Sequence, residues 1–359
     1  MVDMFKAAYV TFDNLDPNSG AGTVCLHEID ALKKVADMAQ VISRPDIVGL
    51  NHYPFTPFTA DYFAARAYNG PEGVDLLHLS CAPGLALLDR IRPKHYVVNC
   101  PAHDLKISID QHERYYGKGS YNFIHNTDPV LHELLLRHAK YADAVITPST
   151  SSAKWIEENI KPQRIEVISH GCDIPATISP LPAEFRCGYL GTFGPDKALE
   201  NLLMAWKFFT GKGKLVFGGN CKDGVLWLAS QMGMMGNMGN YELTGWVKNI
   251  SDFYNGISVY CQCSSSEGYG IETIEAMAHG RPVIVSSGAG SADAVTDGVD
   301  GFIVRPRDPQ AILEKLELFY QNPTKVAEMG AMAREKAKKY EWSVIEARYI
   351  QFYKGILGQ

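Results

Sequence analysis

Two glutamates beside a glycine-rich turn are the residues whose types and spacing could do chemistry. Glu267 lies in the turn, and Glu275 follows in a segment whose apolar spacing predicts a helix. A carboxylate can accept hydrogen bonds from two neighbouring hydroxyl groups of a ribose or a hexose, but it repels phosphate. We therefore expect both glutamates to bind hydroxyl groups.

The segments around these glutamates predict a strand, a turn, a helix and a second strand. Residues 257–263 are apolar and β-branched, as in a buried strand, and a second strand pattern follows at 282–286. Gly268 and Gly270 allow the backbone between them to approach a ligand closely. Such a unit directs free N–H groups and the positive end of a helix at a bound anion. Hydroxyl binding beside anion binding is what a nucleotide sugar requires.

The composition is that of a folded protein with more than one core. The 359 residues accommodate two domains, and the formal charge of −6 argues against nucleic acid as the main partner. Eight cysteines include no C-x-x-C pair, which favours buried free thiols over a zinc site. We find no D-x-D cluster for a divalent metal, no signal peptide and no membrane-spanning run, so we expect a cytoplasmic protein.

Strand patterns alternate with helical patterns in both halves of the chain, as parallel α/β sheets require. The proline-rich stretch 176–185 is the best candidate for a linker. The sequence therefore predicts one α/β domain over 1–178 and a second over 179–340. An amphipathic segment, 341–359, follows the second domain.

The stretch 264–285 resembles the E-x7-E segment of the retaining glycosyltransferases of family four, which have the GT-B fold. That family has, in order, a Glu, a Gly-aromatic-Gly, a second Glu and A-M-A-x-G-x-P-V. This chain matches at Glu267, Gly268, Tyr269, Gly270, Glu275, Ala276, Met277, Ala278, Gly280, Pro282 and Val283. Residues 297–308 also resemble the family's D-G-x-x-G-x-L-V-x-P-x-D. The resemblance implies two doubly wound parallel-sheet domains facing a central cleft, with helix 341–359 crossing back to the first.

The resemblance also implies roles for individual residues. Glu275 would hold the ribose hydroxyls and Glu267 the hydroxyls of the sugar, while Lys197 holds the diphosphate. His103 would line the reacting sugar, so that the catalytic residues are His103, Glu267 and Lys197. The donor-binding residues implied are Gly20, Gly22, Thr192, Lys197, Trp246, Val247, Glu267, Gly268, Tyr269, Gly270, Ile271 and Glu275.

Two positions depart from the family pattern. Thr192 stands where family members have the Arg of an R-x4-K pair on the diphosphate, and Asp293 replaces the Glu of G-G-x-x-E. Other residues have plainer alternatives when the resemblance is set aside. Gly20 and Gly22 are also typical of a tight turn before a helix, His103 of a capping or packing histidine, and Trp246 of a core aromatic.

The function implied is transfer of a sugar, with retention of configuration, from a nucleotide sugar to a glycan, lipid or small-molecule acceptor. It needs no metal and no other cofactor, and a lipid acceptor would require peripheral contact with a membrane. A dinucleotide-dependent oxidoreductase or epimerase is the first alternative, but Cys25 and Leu26 stand where G-x-G-x-x-G needs its third glycine. The second is a nucleotide-sugar-binding protein without turnover, which Thr192 and Asp293 keep open.

Overall fold

The computed structural model describes residues 5–11, 13–48, 57–80, 85–99 and 139–359. His103, which the resemblance places among the catalytic residues, lies outside the described residues. The chain divides into two units. Unit 1 comprises Met1–His170 and Trp342–Gln359, and unit 2 comprises Gly171–Glu341.

Strands and helices alternate along both units. The strands are β1 (Lys6–Thr11), β2 (Asp37–Ile42), β3 (Leu76–Ser80), β4 (His95–Asn99), β5 (Ala144–Thr147), β6 (Ile165–Val167), β7 (Phe185–Leu190), β8 (Gly213–Gly218), β9 (Tyr241–Gly245), β10 (Val259–Gln262), β11 (Val283–Ser286) and β12 (Gly301–Val304). The α-helices are α1 (Gly20–Lys33), α2 (Arg44–Val48), α3 (Pro57–Ala67), α4 (Leu85–Ile91), α5 (Thr150–Asn159), α6 (Leu199–Phe208), α7 (Lys222–Gln231), α8 (Ile250–Asn255), α9 (Ile271–Ala278), α10 (Pro309–Gln321), α11 (Pro323–Ala337) and α12 (Trp342–Leu357). Three short 3₁₀ turns span Met235–Asn240, Gly290–Ala294 and Lys338–Tyr340.

Unit 1 is built on a six-stranded parallel sheet in the order β2-β1-β3-β4-β5-β6. Every residue of β3 is buried, as expected of a parallel strand that is covered on both faces. The order of the strands reverses between β1 and β3. The C-terminal helix α12 belongs to this unit and packs on α1.

A buried carboxylate ties α12 to the sheet of unit 1. The side chain of Glu28 is fully buried, and its oxygens accept hydrogen bonds from the hydroxyl groups of Tyr9 (2.5 Å) and Tyr349 (2.9 Å) and from Asn99 Nδ2 (2.8 Å). These donors come from β1, α12 and β4. Because a buried carboxylate is unstable without such partners, the cluster fixes the three elements to one another.

Unit 2 is built on a second six-stranded parallel sheet in the order β12-β11-β10-β7-β8-β9. Its first strand, β7, lies between β8 and β10, so the order of the strands reverses between β7 and β10. In open α/β sheets the loops at the carboxyl ends of two such strands part and leave a crevice, where ligands bind. The loops that follow β7 and β10 therefore border this crevice.

The stretch 176–185, which the sequence suggested as a linker, belongs to unit 2 and is hydrogen-bonded to it. Arg281, a fully buried side chain, donates from Nη2 to the carbonyl oxygen of Ser179 at 2.9 Å, and Arg334 donates to that of Pro175, the residue just before the stretch. The division between the units falls after His170, a short way before the predicted boundary at 178.

Candidate active site

The two loops at the reversal of strand order in unit 2 carry Lys197 and Glu267. Lys197 lies in the loop that follows β7, and Glu267 lies in the loop that follows β10. Lys197 Nζ donates a short hydrogen bond to Glu267 Oε2, and each side chain is 17% exposed. The fold thus joins the two residues into a partly buried ion pair at the point where such sheets bind ligands.

Further donors converge on the same carboxylate oxygen. Glu267 Oε2 accepts from Ser264 Oγ at 3.1 Å and from Gln262 Nε2 at 3.2 Å. The Gln262 amide is oriented by the Tyr260 hydroxyl, which donates to its Oε1 at 2.6 Å. These contacts hold the Glu267 carboxylate in one position, as a group that must orient a substrate requires.

The charge of Lys197 is secured by its surroundings. Burial by itself lowers the pKa of this ammonium group, but the negative charges of Glu267 and Asp196 raise it above its usual value. The nearer Asp196 oxygen lies 3.7 Å from Lys197 Nζ. Lys197 is therefore a permanent cation at neutral pH, able to bind an anion.

The turn between Glu267 and α9 presents unused backbone donors. Gly270 is the N-cap of α9 and has φ = +86°, a left-handed conformation that favours glycine, and no side chain caps the helix. Within the described part of the chain, the N–H groups of Gly268, Gly270 and Ile271 have no acceptor. The backbone of the turn is fixed at Glu267, whose N–H donates to Gly288 O at 2.9 Å. It therefore has the properties of an anion-binding helix N-terminus.

Glu275 lies one turn further along α9 and has a different environment. Its Oε2 accepts a hydrogen bond of 2.7 Å from the Tyr254 hydroxyl. Burial raises the pKa of Glu275 to about 7, the charge of Asp173 adds to this increase, and the Tyr254 hydrogen bond opposes it. Glu275 is thus a strong acceptor with spare lone pairs, as binding of a neighbouring diol requires.

Glu272 is a third carboxyl group of this site, and the sequence pattern did not reveal it. It occupies the first turn of α9 and is half-buried. Burial raises its pKa to about 7, with a further contribution from the charge of Glu267, while the charge of Lys197 opposes the increase. The E-x7-E spacing directs attention to its two ends only. The signal that could have identified Glu272 was its position as an acidic residue in the first turn of a helix expected to bind an anion.

The remaining predicted residues of unit 2 lie around this centre. Thr192 is exposed in the loop after β7, where its carbonyl oxygen accepts from the Tyr189 hydroxyl at 2.9 Å. Trp246 is 64% exposed, which rejects the alternative that it is a core aromatic. Together with Val247 it lines a groove of about 390 Å³ beside β9 and α8.

The two predicted glycines of unit 1 have a structural explanation. Gly20 begins α1, and Gly22 N donates to the side chain of Ser19, the N-cap, at 3.0 Å. A Cβ atom at Gly22 would lie 2.4 Å from Asp16 O, so only glycine lets this loop pack on the helix. Their binding of a donor stays a prediction, as does the role of His103.

The comparisons with known proteins match this description over most of the chain. The model of the glycosyl transferases group 1 matches residues 182–339, and that of glycosyltransferase family 4 matches residues 23–175. The chain belongs to the family-four glycosyltransferases.

Glycosyltransferases of other organisms are similar to this chain at moderate identity. The capsular polysaccharide biosynthesis glycosyltransferase CapM of Staphylococcus aureus is 30% identical over 187 residues, which are 50% of this chain and 49% of CapM. A D-inositol 3-phosphate glycosyltransferase of Streptomyces griseus is 31% identical over 136 residues, 38% of this chain and 29% of that protein. The alignments thus cover half or less of these two relatives. An uncharacterized glycosyltransferase of Methanocaldococcus jannaschii is 24% identical over 93% of this chain and 85% of its own.

Solved structures place this family-four chain in the GT-B fold class, with two doubly wound parallel-sheet units. The sucrose-phosphate synthase of Thermosynechococcus elongatus has a TM-score of 0.79 at 18% identity and covers 98% of this chain and 99% of its own. Anabaena HepE in complex with UDP-glucose has a TM-score of 0.73 at 16% identity and covers 97% of this chain and 99% of its own. At such identities the likeness concerns the fold.

The described residues also bear on metal binding and on membrane crossing by this family-four member. In that part of the chain, no group of three or more His, Cys, Asp or Glu side chains is arranged to hold a metal ion. Nor does any described helix combine the length and the apolarity that crossing a membrane requires.

Proposed function

We propose that the protein transfers a glycosyl group from a nucleotide sugar to an acceptor with retention of anomeric configuration. The observation that carries the proposal is the Lys197–Glu267 pair beside the Gly270 turn, at the reversal of strand order in unit 2. It combines a cation, free backbone donors and fixed carboxylates within one crevice. Family membership and the neighbour that was solved with UDP-glucose support the same conclusion.

Each part of the donor has a matching group in unit 2. The diphosphate would bind Lys197 and the N–H groups of the turn, because both attract negative charge. Glu275 would accept from the ribose hydroxyls, and Glu267 from hydroxyls of the transferred sugar. The groove at Trp246 offers an exposed aromatic surface to the nucleobase.

The reaction breaks the bond between the anomeric carbon and the diphosphate oxygen. The acceptor oxygen bonds to the same face of that carbon, and its proton passes to the departing diphosphate, which leaves as a nucleoside diphosphate. Negative charge grows on the leaving oxygen, so a fixed cation and fixed N–H dipoles stabilise the transition state more than the ground state. His103 is the residue that we predict beside the reacting sugar. No metal or other cofactor enters these steps.

The names of the relatives point to different classes of acceptor. CapM is named for a capsular polysaccharide and the Streptomyces griseus relative for an inositol phosphate, so these names suggest no single acceptor class. A second candidate function is binding of a nucleotide sugar without turnover. It is favoured by Thr192, since the cation that the family has at this position is missing.

The proposal is tested by supplying UDP-glucose, UDP-N-acetylglucosamine, GDP-mannose and ADP-glucose separately and measuring release of the nucleoside diphosphate. We expect slow hydrolysis of at least one donor and its loss in Glu267→Gln. A donor that binds without any release would favour the second candidate. Proton NMR of the first product, with its anomeric coupling constant, tests retention, and a product of inverted configuration would reject the proposed stereochemistry.

A further inference from the structure

The candidate donor site holds more negative charge than a diphosphate site should. Glu267, Glu272 and Glu275 lie within nine residues of sequence, and Asp196 lies next to the only cation that contacts Glu267 in the described part of the chain, Lys197. Thr192 supplies no charge at the position where a second cation would be expected. A donor diphosphate brings two further negative charges into the same crevice, so something must compensate for them.

Among these carboxyl groups, Glu272 is the one that a diphosphate bound at the N-terminus of α9 should affect most. It lies in the first turn of α9, and its carboxylate lies against its own backbone N–H. That N–H belongs to the set of first-turn donors that would face a phosphate. A carboxylate at this position therefore repels an anion bound at the N-terminus of α9 and competes with it for the Glu272 N–H.

The groups around Glu272 decide how it responds to a new charge. The titratable side chains that act on it or feel its charge are Lys197, Glu267, Glu275, Tyr189, Tyr254 and Tyr260. The three tyrosines are neutral at neutral pH, because burial raises the pKa of each of them. Lys197 is the one cation in this group, and Glu267 already engages it.

We propose that Glu272 must be protonated for the nucleotide sugar to bind, so that binding of the donor takes up one proton at this carboxyl group. This inference rests on the proposed function, since it assumes that the diphosphate binds at the turn. Protonation removes the repulsion between the carboxylate and the diphosphate and frees the N–H that the carboxylate holds. The neutral carboxyl can then donate a hydrogen bond to a phosphate oxygen.

The pH dependence follows from the position of Glu272 in the free protein, where its pKa is raised to about 7. At pH 6 the group is mostly protonated, so the donor meets a neutral carboxyl group. Binding of the donor then takes up only a small fraction of a proton. At pH 8 it is mostly ionised, and the added phosphate charges raise its pKa further in the complex, so binding takes up about one proton. Above neutrality, donor affinity should fall by up to about tenfold for each pH unit.

Glu275 titrates in the same range but affects the result differently. Its partner in the proposed complex is an uncharged diol, which binds best to the ionised carboxylate. Its protonation weakens binding on the acid side of neutrality, and at pH 8 it is ionised with and without donor. The measurement at pH 8 therefore isolates Glu272.

The test is calorimetric titration of the full chain with UDP-glucose and with GDP-mannose at pH 8, in two buffers of different ionisation enthalpy. Nucleotide sugars are used because their diphosphate has no group that titrates near neutrality, whereas the terminal phosphate of UDP has a pKa of about 6. We expect uptake of about one proton by the wild type and none by Glu272→Gln. The variant should also bind several-fold more tightly than the wild type at pH 8 and equally well at pH 6.

Glu200→Gln is the matched control. Glu200 also lies in the first turn of a helix, α6, and its pKa is also raised, chiefly by burial, yet it is not among the charges acting on Lys197. This variant should take up one proton, as the wild type does. Binding without proton uptake, or weaker binding by Glu272→Gln at both pH values, would overturn the role of Glu272. Failure of both nucleotide sugars to bind the wild type at either pH would instead overturn the proposed donor site.

Discussion

Replacing Lys197 by alanine should weaken both donor binding and the chemical step. The ammonium group is the cation of the Lys197–Glu267 pair and is only 17% exposed, so water cannot substitute for it fully. A hydrogen bond that involves a charged group contributes about 1.5–3 kcal/mol. We therefore expect kcat/KM for the donor to fall about tenfold to more than a hundredfold.

The substitution also affects the free energy of unfolding, and the two effects must be separated. Glu267 would keep its hydrogen bonds from Ser264 and Gln262 but lose its counter-ion. Exposed ion pairs contribute about 0–1 kcal/mol and broken buried pairs cost about 3–5 kcal/mol, so a loss of about 1–3 kcal/mol is expected here. Thermal melts followed by circular dichroism measure this loss, and rates should be taken well below the melting temperature.

Two further variants complement Lys197→Ala, the first as a control and the second as a gain of the missing cation. Lys207→Ala removes a surface lysine of α6 that donates only to the carbonyl oxygen of Met232, and it should leave kcat/KM unchanged. Thr192→Arg should restore the cation that the family has at this position and should lower the donor KM. If Lys197→Ala retains kcat/KM within twofold of the wild type, another residue holds the diphosphate and Lys197 is not the cation that assists the leaving group.

The other predictions concern the metal, the two glutamates and the core of unit 1. Activity should survive EDTA, since a cation and N–H dipoles assist the leaving group; a loss that magnesium or manganese restores would contradict this. Glu275→Gln should mainly raise the donor KM because the ribose takes no part in bond breaking, whereas Glu267→Gln should mainly lower kcat. If steady-state rates show the reverse, Glu267 binds the ribose and Glu275 the transferred sugar. Glu28→Ala should destabilise unit 1 by at least about 3 kcal/mol in urea melts, since it leaves three donors without an acceptor, and a loss under 1 kcal/mol would show that water replaces the carboxylate.

The sequence was sufficient for the α/β class because periodicity is a local property, whereas the GT-B arrangement was implied by the resemblance to family four. The apolar run that ends at Cys263 and the spacing of Ile274, Met277 and Ala278 predicted β10 and α9, and the structure buries these side chains. The order of strands in each sheet is not a local property. Only the structure shows that β7 lies beside β10, which brings the Lys197 and Glu267 loops together.

The site was predictable where it follows a motif and not where it depends on three-dimensional surroundings. Lys197, Glu267 and Glu275 were predicted by their positions in patterns, yet nothing in the sequence showed that Lys197 contacts Glu267. Glu272 stands inside the motif but outside its spacing, and its importance arises from burial and from the charges around it. The exposure of Trp246 likewise depends on which strand forms the edge of the sheet.

Binding of a nucleotide by unit 2 through the turn and α9 can be measured by a thermal-shift titration with UDP, GDP and ADP. A ligand that binds only the native state at a hundred times its Kd stabilises that state by about 2.7 kcal/mol. We predict that one of the three nucleotides raises the melting temperature of the wild type and of Glu200→Gln equally, and that of Glu275→Gln clearly less. If no nucleotide raises the melting temperature, or if Glu275→Gln responds as the wild type does, the nucleotide does not bind at the turn and α9.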